Sequence, residues 1–201
     1  QGPDRPHEQY IHALILAGLV ANLGGSGAKV LVEVGVDQGE FSLHVLRELK
    51  NREVPVDRYY AIDSWMPYEN RPHRREDFLA TAQVLAPFWP VPRMLQETGD
   101  LASGLIANAS AHFVFIDADH SFHAVLRDLK MWWPKLSVGG VLAGHDYAPE
   151  KPERFPGPVR AAHLFAAEVG VSACLIGLPG TSFALLKEPR CADVREGLPG
   201  D

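Results

Sequence analysis

A chain of 201 residues with a formal charge of -6 is long enough to bury one sizeable core and falls in the size range of a single domain, here taken as 1–201. Apolar residues at 46% and charged residues at 22% exclude disordered, collagen-like and fibrous classes. The acidic balance argues against a nucleic-acid partner held by phosphate neutralisation, although "RPHRRE" at 71–76 is a local basic patch.

The first apolar stretch, "YIHALILAGLVANLGG", is interrupted by His12 and Asn22 and is too short for a membrane span, so it reads as a helix, with 1–27 as an N-terminal helix and turn. No basic n-region precedes it, so no signal peptide is expected. "VLVEVGV" is a β-branched run suited to a central parallel strand, broken only by Glu33. Gly35 and Gly39 bracket a short loop, and "EFSLHVLRELK" then carries apolar residues at helical spacing.

"RYYAID" is a second strand ending at Asp63. "SWMPYENRPHRRE" has proline and aromatic residues without periodicity, making 64–78 a candidate lid over a core of 28–190. "DFLATAQVLAPF" resumes helical patterning, "PRMLQETG" holds a short strand, and "DLASGLIANA" starts a short helix near Asp100. "HFVFID" is a buried strand that ends abruptly in ionisable groups, Asp117, Asp119, His120 and His123.

"SFHAVLRDLKMWWPKL" is helical up to Pro134, "SVGG" reads as a turn, and "VLAGHDY" is another strand ending in His145 and Asp146. "PGPVRAAHLFAAEVG" is a helix opened by proline, and "SACLIGL" and "SFALLKE" form a hairpin across "PGT". Cys174 and Cys191 lack C-x-x-C spacing, which suggests neither a disulfide framework nor a zinc site and favours a reducing, cytoplasmic setting.

Alternating strands and helices imply an α/β sheet covered on both faces, whose ligands bind beyond the carboxyl ends of the strands. Glu33, Asp63, Asp117 and the His145–Asp146 pair all fall at such ends, so four strands aim polar groups at one edge. The G-x-x-x-G loop lets the backbone approach a nucleotide-like ligand, although its spacing is neither the dinucleotide nor the phosphate-loop pattern. A buried Glu33 calls for a donor or a cation, and Asp63 sits where ribose hydroxyls are bound, so together they suit a positively charged adenosine.

"VEVGVDQGEFS", "AIDSW", "FIDADHSFHAVLRDLKMWWPKLSVGGVLAGHDY" and "FPGPVRAAHLFAAE" resemble class I S-adenosylmethionine-dependent methyltransferases, most of all the methyltransferase 24 group. The resemblance covers most of the chain and is most specific from Phe113 to Tyr147. It implies a Rossmann-like, mostly parallel seven-stranded sheet with a C-terminal antiparallel hairpin and S-adenosylmethionine as cofactor. Glu33, Gly35 and Gly39 would lie at its methionine part, with Asp117 also in the cofactor site. Asp63 would hold the ribose, and Ser64, Trp65, Gly99 and Asp100 would lie at the adenine. Leu101 departs from the serine often found at that point.

The related catechol and caffeoyl-CoA-type O-methyltransferases carry metal ligands at the positions of Asp117, His145 and Asp146. Imidazole with carboxylates suits Mg²⁺, Mn²⁺, Fe²⁺ or Zn²⁺. His120 occupies the spacing of the general-base lysine in those relatives, and its ordinary pKa suits proton removal from a hydroxyl. Asp119 and His123 also read as helix-start residues, Trp132 and Trp133 as core, and Trp65 as a substrate platform.

The expected activity is O-methylation of a small-molecule hydroxyl. The alternatives are a metal-dependent glycosyltransferase with Asp117-Ala118-Asp119 as D-x-D, a nicotinamide-dependent oxidoreductase, or a binding module without chemistry. Monomer and homodimer are both open, and no membrane partner is expected.

Overall fold

The computed structural model of this chain describes residues 11–25, 27–67 and 74–188. Helix α1 (Ile11–Ala21) buries Ala13, Leu16, Ala17 and Val20, a stripe at i, i+3, i+4 and i+7 that seats one face on the sheet. The strands are β1 (Lys29–Val34), β2 (Val56–Asp63), β3 (Pro92–Gln96), β4 (Ala111–Ile116), β5 (Leu136–Gly144), β6 (Leu175–Leu178) and β7 (Ser182–Leu186). Between them run α2 (Glu40–Asn51), α3 (Arg74–Leu85), the single turn α4 (Gly99–Ser103), α5 (Phe122–Trp132) and α6 (Pro156–Glu168).

The seven strands are ordered β3-β2-β1-β4-β5-β7-β6. The first five are mutually parallel, while β7 runs antiparallel to both β5 and β6. Alternation along the strands divides the core. Val32, Val34, Val114, Ile116 and Leu142 face α4, α5 and α6, whereas Leu31, Phe113, Phe115, Val141 and Ala143 face α1 and α2. Trp132 is fully buried in the first layer and Trp133 sets its ring edge-on to Phe165, so both are core residues as expected.

Four sequence expectations change. "SVGG" does not form a turn; it is the first half of β5, where Gly139 at φ 82 donates its N–H to Lys187 O, and Lys187 donates back to Gly140 O. This irregularity lets β5 begin at Leu136, opposite Ala111 of β4. Helix α3 begins at Arg74, so the end of the supposed lid at 64–78 is helical, and 68–73 lies outside the described residues. Cys174 is disulfide-bonded, contrary to the expectation of reduced thiols, and Cys191 lies outside the described residues. Trp65 is only 2% exposed, set edge-on to Phe78 with its Nε1 donating to Asp37 O, so it packs the loop and is no open substrate platform.

No helix among the described residues is long and apolar enough to cross a membrane.

Candidate active site

Hydrogen bonds continue past the strand ends and hold the polar residues level. Gly35 donates to Ile62 O at 2.8 Å, Asp117 to Val34 O at 2.8 Å, and His145 to Ile116 O at 3.1 Å. The ends of β2, β1, β4 and β5 therefore form one rim, and a cavity of about 980 Å³ opens along it. That is at the upper end of the range for small-molecule sites.

The loop from β1 to α2 fits against this rim because Gly35 lacks a side chain. At φ 91, a Cβ there would stand 2.1 Å from Asp117 O. Gly39, at φ 82, closes the loop and precedes the first turn of α2. Glu33 is 1% exposed, accepting from Tyr59 Oη at 2.5 Å and from Ser42 Oγ. Burial raises its pKa to about 8, so it is neutral until a cation approaches.

At one end of the cavity lie Asp63, Ser64, Gly99 and Asp100, with Asp128 of α5 beside them. Burial pushes Asp128 up to about 6. Leu101 points to solvent at 65% exposure, so its difference from the related pattern does not touch the cavity. Ser64 lines the cavity, and Trp65 does not. Asp63 accepts from the backbone N–H of Asp37 and of Trp65 and pairs with Arg74.

At the other end, Asp117, His120, His145 and His12 come together. His120 places Nδ1 2.8 Å from Asp146 Oδ2 and Nε2 3.2 Å from Asp117 Oδ1, so its ring bridges two carboxylates. Hydrogen bonds to Asp117 and Asp146 raise its pKa to about 10. Burial opposes ionisation of Asp146, but the bonds from His120 and His145 outweigh it and hold that carboxylate well below its usual range. Burial would lower His145, yet its bond to Asp146 and the charges of Asp117 and Asp146 raise it. Asp146 adopts φ 55, a left-handed conformation of the kind that clusters at functional sites. Gly157 of α6 packs against the backbone carrying this ring, where a Cβ would stand 2.2 Å from His120 O.

Asp117, His145 and Asp146, expected as metal ligands, are thus assembled around an imidazole. Among the described residues no group of three or more His, Cys, Asp or Glu side chains could hold a metal ion. The His120 ring lies between Asp117 and Asp146 and, when protonated, balances the charge of both carboxylates. Asp119 closes a turn by accepting from Ser121 N at 2.8 Å, and Ser121 caps α5, while His123 is exposed at the helix start.

Among the cavity residues that escaped sequence reading are His12, Arg74 and Asp128. His12 is buried, stacks on Phe41 and lies 4.9 Å from the His145 ring, and burial lowers its pKa to about 4. Its signal was an imidazole in an otherwise apolar helix. Arg74 was hidden in a basic run that looked like solvated surface, and Asp128 in the polar face of α5.

The strand order, with its antiparallel seventh strand and its polar rim at the carboxyl ends, is that of the class I methyltransferase fold. A family model for a methyltransferase domain matches residues 32–147, more than half of the chain, and the protein belongs to this methyltransferase 24 family of S-adenosylmethionine-dependent enzymes. Among solved structures, the chain is similar to a protein from Corynebacterium glutamicum at 19% identity and a TM-score of 0.64, covering 94% of this chain and 83% of that one. It is similar to the O-methyltransferase NovP at 17% identity, with a TM-score of 0.64 over 90% and 80%. For a putative caffeoyl-CoA O-methyltransferase from Staphylococcus aureus the values are 11%, 0.59, 88% and 83%. No curated protein matches the sequence. A methyltransferase domain leaves no place for the glycosyltransferase or oxidoreductase alternatives.

Proposed function

We propose that the protein methylates a hydroxyl oxygen of a small molecule, with His120 as the proton acceptor. The observation that carries this reading is the Asp146–His120 pair, which fixes Nδ1 and turns Nε2 toward the cavity beside Asp117. S-adenosylmethionine supplies an electrophilic methyl on a sulfonium. The glycine loop with Glu33, Gly35 and Gly39 faces its methionine part, Asp63 its ribose, and Ser64, Gly99 and Asp100 its adenine. The O-methyltransferases among the similar structures support the choice of oxygen as acceptor.

In the free protein the His120 imidazolium donates its Nδ1–H to Asp146 and its Nε2–H to Asp117. A positive charge bound beside Asp117 would disfavour the Nε2–H of His120 by Coulomb repulsion and bring the His120 pKa down, leaving Nε2 able to accept a proton. The acceptor hydroxyl then gives its proton to Nε2 as the oxygen takes the methyl, and Asp146 stabilises the imidazolium that results.

Isothermal calorimetry with S-adenosylmethionine and S-adenosylhomocysteine, followed by methyl transfer to a panel of phenols and sugars, tests the reading. Binding with transfer to hydroxyls is expected, whereas binding with transfer only to nitrogen or carbon acceptors overturns the oxygen assignment.

A further inference from the structure

The carboxylate expected to receive the cofactor ribose is already fully engaged by protein. Asp63 Oδ1 accepts from Trp65 N at 2.7 Å and from Arg74 Nη2 at 2.9 Å. Its Oδ2 accepts from Asp37 N at 3.0 Å and from the same Nη2 at 3.0 Å. An ionised carboxylate offers about four acceptor sites, so none is left for a ribose diol.

The donors differ in how freely they can withdraw. Trp65 and Asp37 donate through their backbones, and the buried Trp65 indole ties the two together by donating to Asp37 O at 2.8 Å. Thr81 Oγ1 also donates to Asp37 O at 2.8 Å, so this frame is anchored to α3. Arg74 is held differently. Its Nη1 bonds Asp77 Oδ2 at 2.9 Å and also Asp37 Oδ1, and Gln38 Nε2 steadies Asp77 at 2.8 Å. The guanidinium can release Asp63 through Nη2 and keep its charge paired through Nη1. Leaving Asp63 does not strand a buried cation, which would otherwise forbid the move.

We propose that Arg74 is a built-in competitor for the ribose subsite. The inference rests on the reading of Asp63 as the ribose-binding residue. The 2′- and 3′-hydroxyls of the cofactor bind by replacing Arg74 Nη2 on Asp63, while Arg74 stays on Asp37 and Asp77. The resting protein is divided between an Arg74-bound and a vacant Asp63, and the scarcity of the second form lowers the apparent affinity for any adenosine ligand. Arg74 thereby sets how tightly and how fast the cofactor is taken up, without touching the methyl group.

Arg74→Gln and Arg74→Lys, each checked for folding by thermal melting, are compared with wild type for S-adenosylhomocysteine binding by calorimetry and stopped flow. A lysine is a point charge that cannot bridge three carboxylates as the planar guanidinium does. The expected result is affinity tighter by about tenfold or more in at least one folded variant. The observed rate should level off with ligand concentration in wild type and rise linearly in the variant. In wild-type protein, the side-chain N–H resonances of Arg74 should also shift on adding S-adenosylhomocysteine, a readout independent of any variant.

Unchanged or weaker binding in the folded variants, or resonances that stay put when ligand is bound, overturns the competitor role alone. Absence of binding to wild type and variants alike overturns the cofactor reading, and this inference with it.

Discussion

His120 and Asp146 come from the ends of neighbouring strands and meet at 2.8 Å, Nδ1 against Oδ2. The pair makes stability depend on pH in a defined direction. The His120 pKa rises from 6.5 to about 10, so its contribution is fully present below 6.5 and is lost as pH climbs through 10. The Asp146 pKa falls below its ordinary 3.8, so its contribution is present above that value and is lost only in strong acid. In His120→Gln, the fall in melting temperature between pH 6.5 and 10 should be shallower than in wild type. An unaltered slope in thermal melts sinks the pairing.

The same proton governs the rate. A base must be unprotonated, and Nε2 is protonated in the free protein at neutral pH, so kcat/KM for S-adenosylmethionine should rise about tenfold per pH unit through the neutral and mildly alkaline range. His120→Ala should lower turnover by about 10²–10⁴-fold, flatten the pH profile and leave the dissociation constant of S-adenosylhomocysteine nearly unchanged. Equal losses in turnover and in cofactor affinity would instead make His120 a binding residue.

The rim was legible in the sequence because each of its strands is an apolar run broken by one or two charges, and a parallel sheet brings such ends together. Glu33, Asp63, Asp117 and His145 were readable for that reason. Partner choice was not, since the His120 bridge depends on the backbone turn at Asp146 and on the approach of Gly157, neither of which has a periodic signature. Trp65 was misjudged because a loop tryptophan looks exposed until the packing of Phe78 is known. The extent of β5 was misjudged because glycine pairs mark bulges as well as turns.

Gly35 is the position where the backbone tolerates least change. An added Cβ would stand 2.1 Å from Asp117 O, at a φ of 91 that L side chains rarely adopt. Overpacking of about 1–3 kcal/mol and left-handed strain of about 1–2 kcal/mol point to a loss of about 3 kcal/mol for Gly35→Ala. For a chain of this size that corresponds to a fall of roughly 6–12 °C in melting temperature. Cofactor binding should weaken as well, because the loop must move off Asp117. A melt within a degree or two of wild type would show that the loop relaxes freely.

Glu33 offers a test that couples stability to cofactor binding. Its pKa rises from 4.5 to about 8 in the fold, so its contribution is fully present below 4.5 and is lost as pH rises through 8. Gln at this position can still accept from Ser42 and Tyr59, so Glu33→Gln should fold, and its stability should fall less than that of wild type between pH 4.5 and 8. The cofactor carries a sulfonium and an ammonium, and a cation beside Glu33 favours the carboxylate. Binding near neutral pH should therefore release protons, measurable by calorimetry in buffers of different ionisation enthalpy. Release should be smaller in Glu33→Gln, and equal release in the two proteins would place the cofactor's charge away from β1.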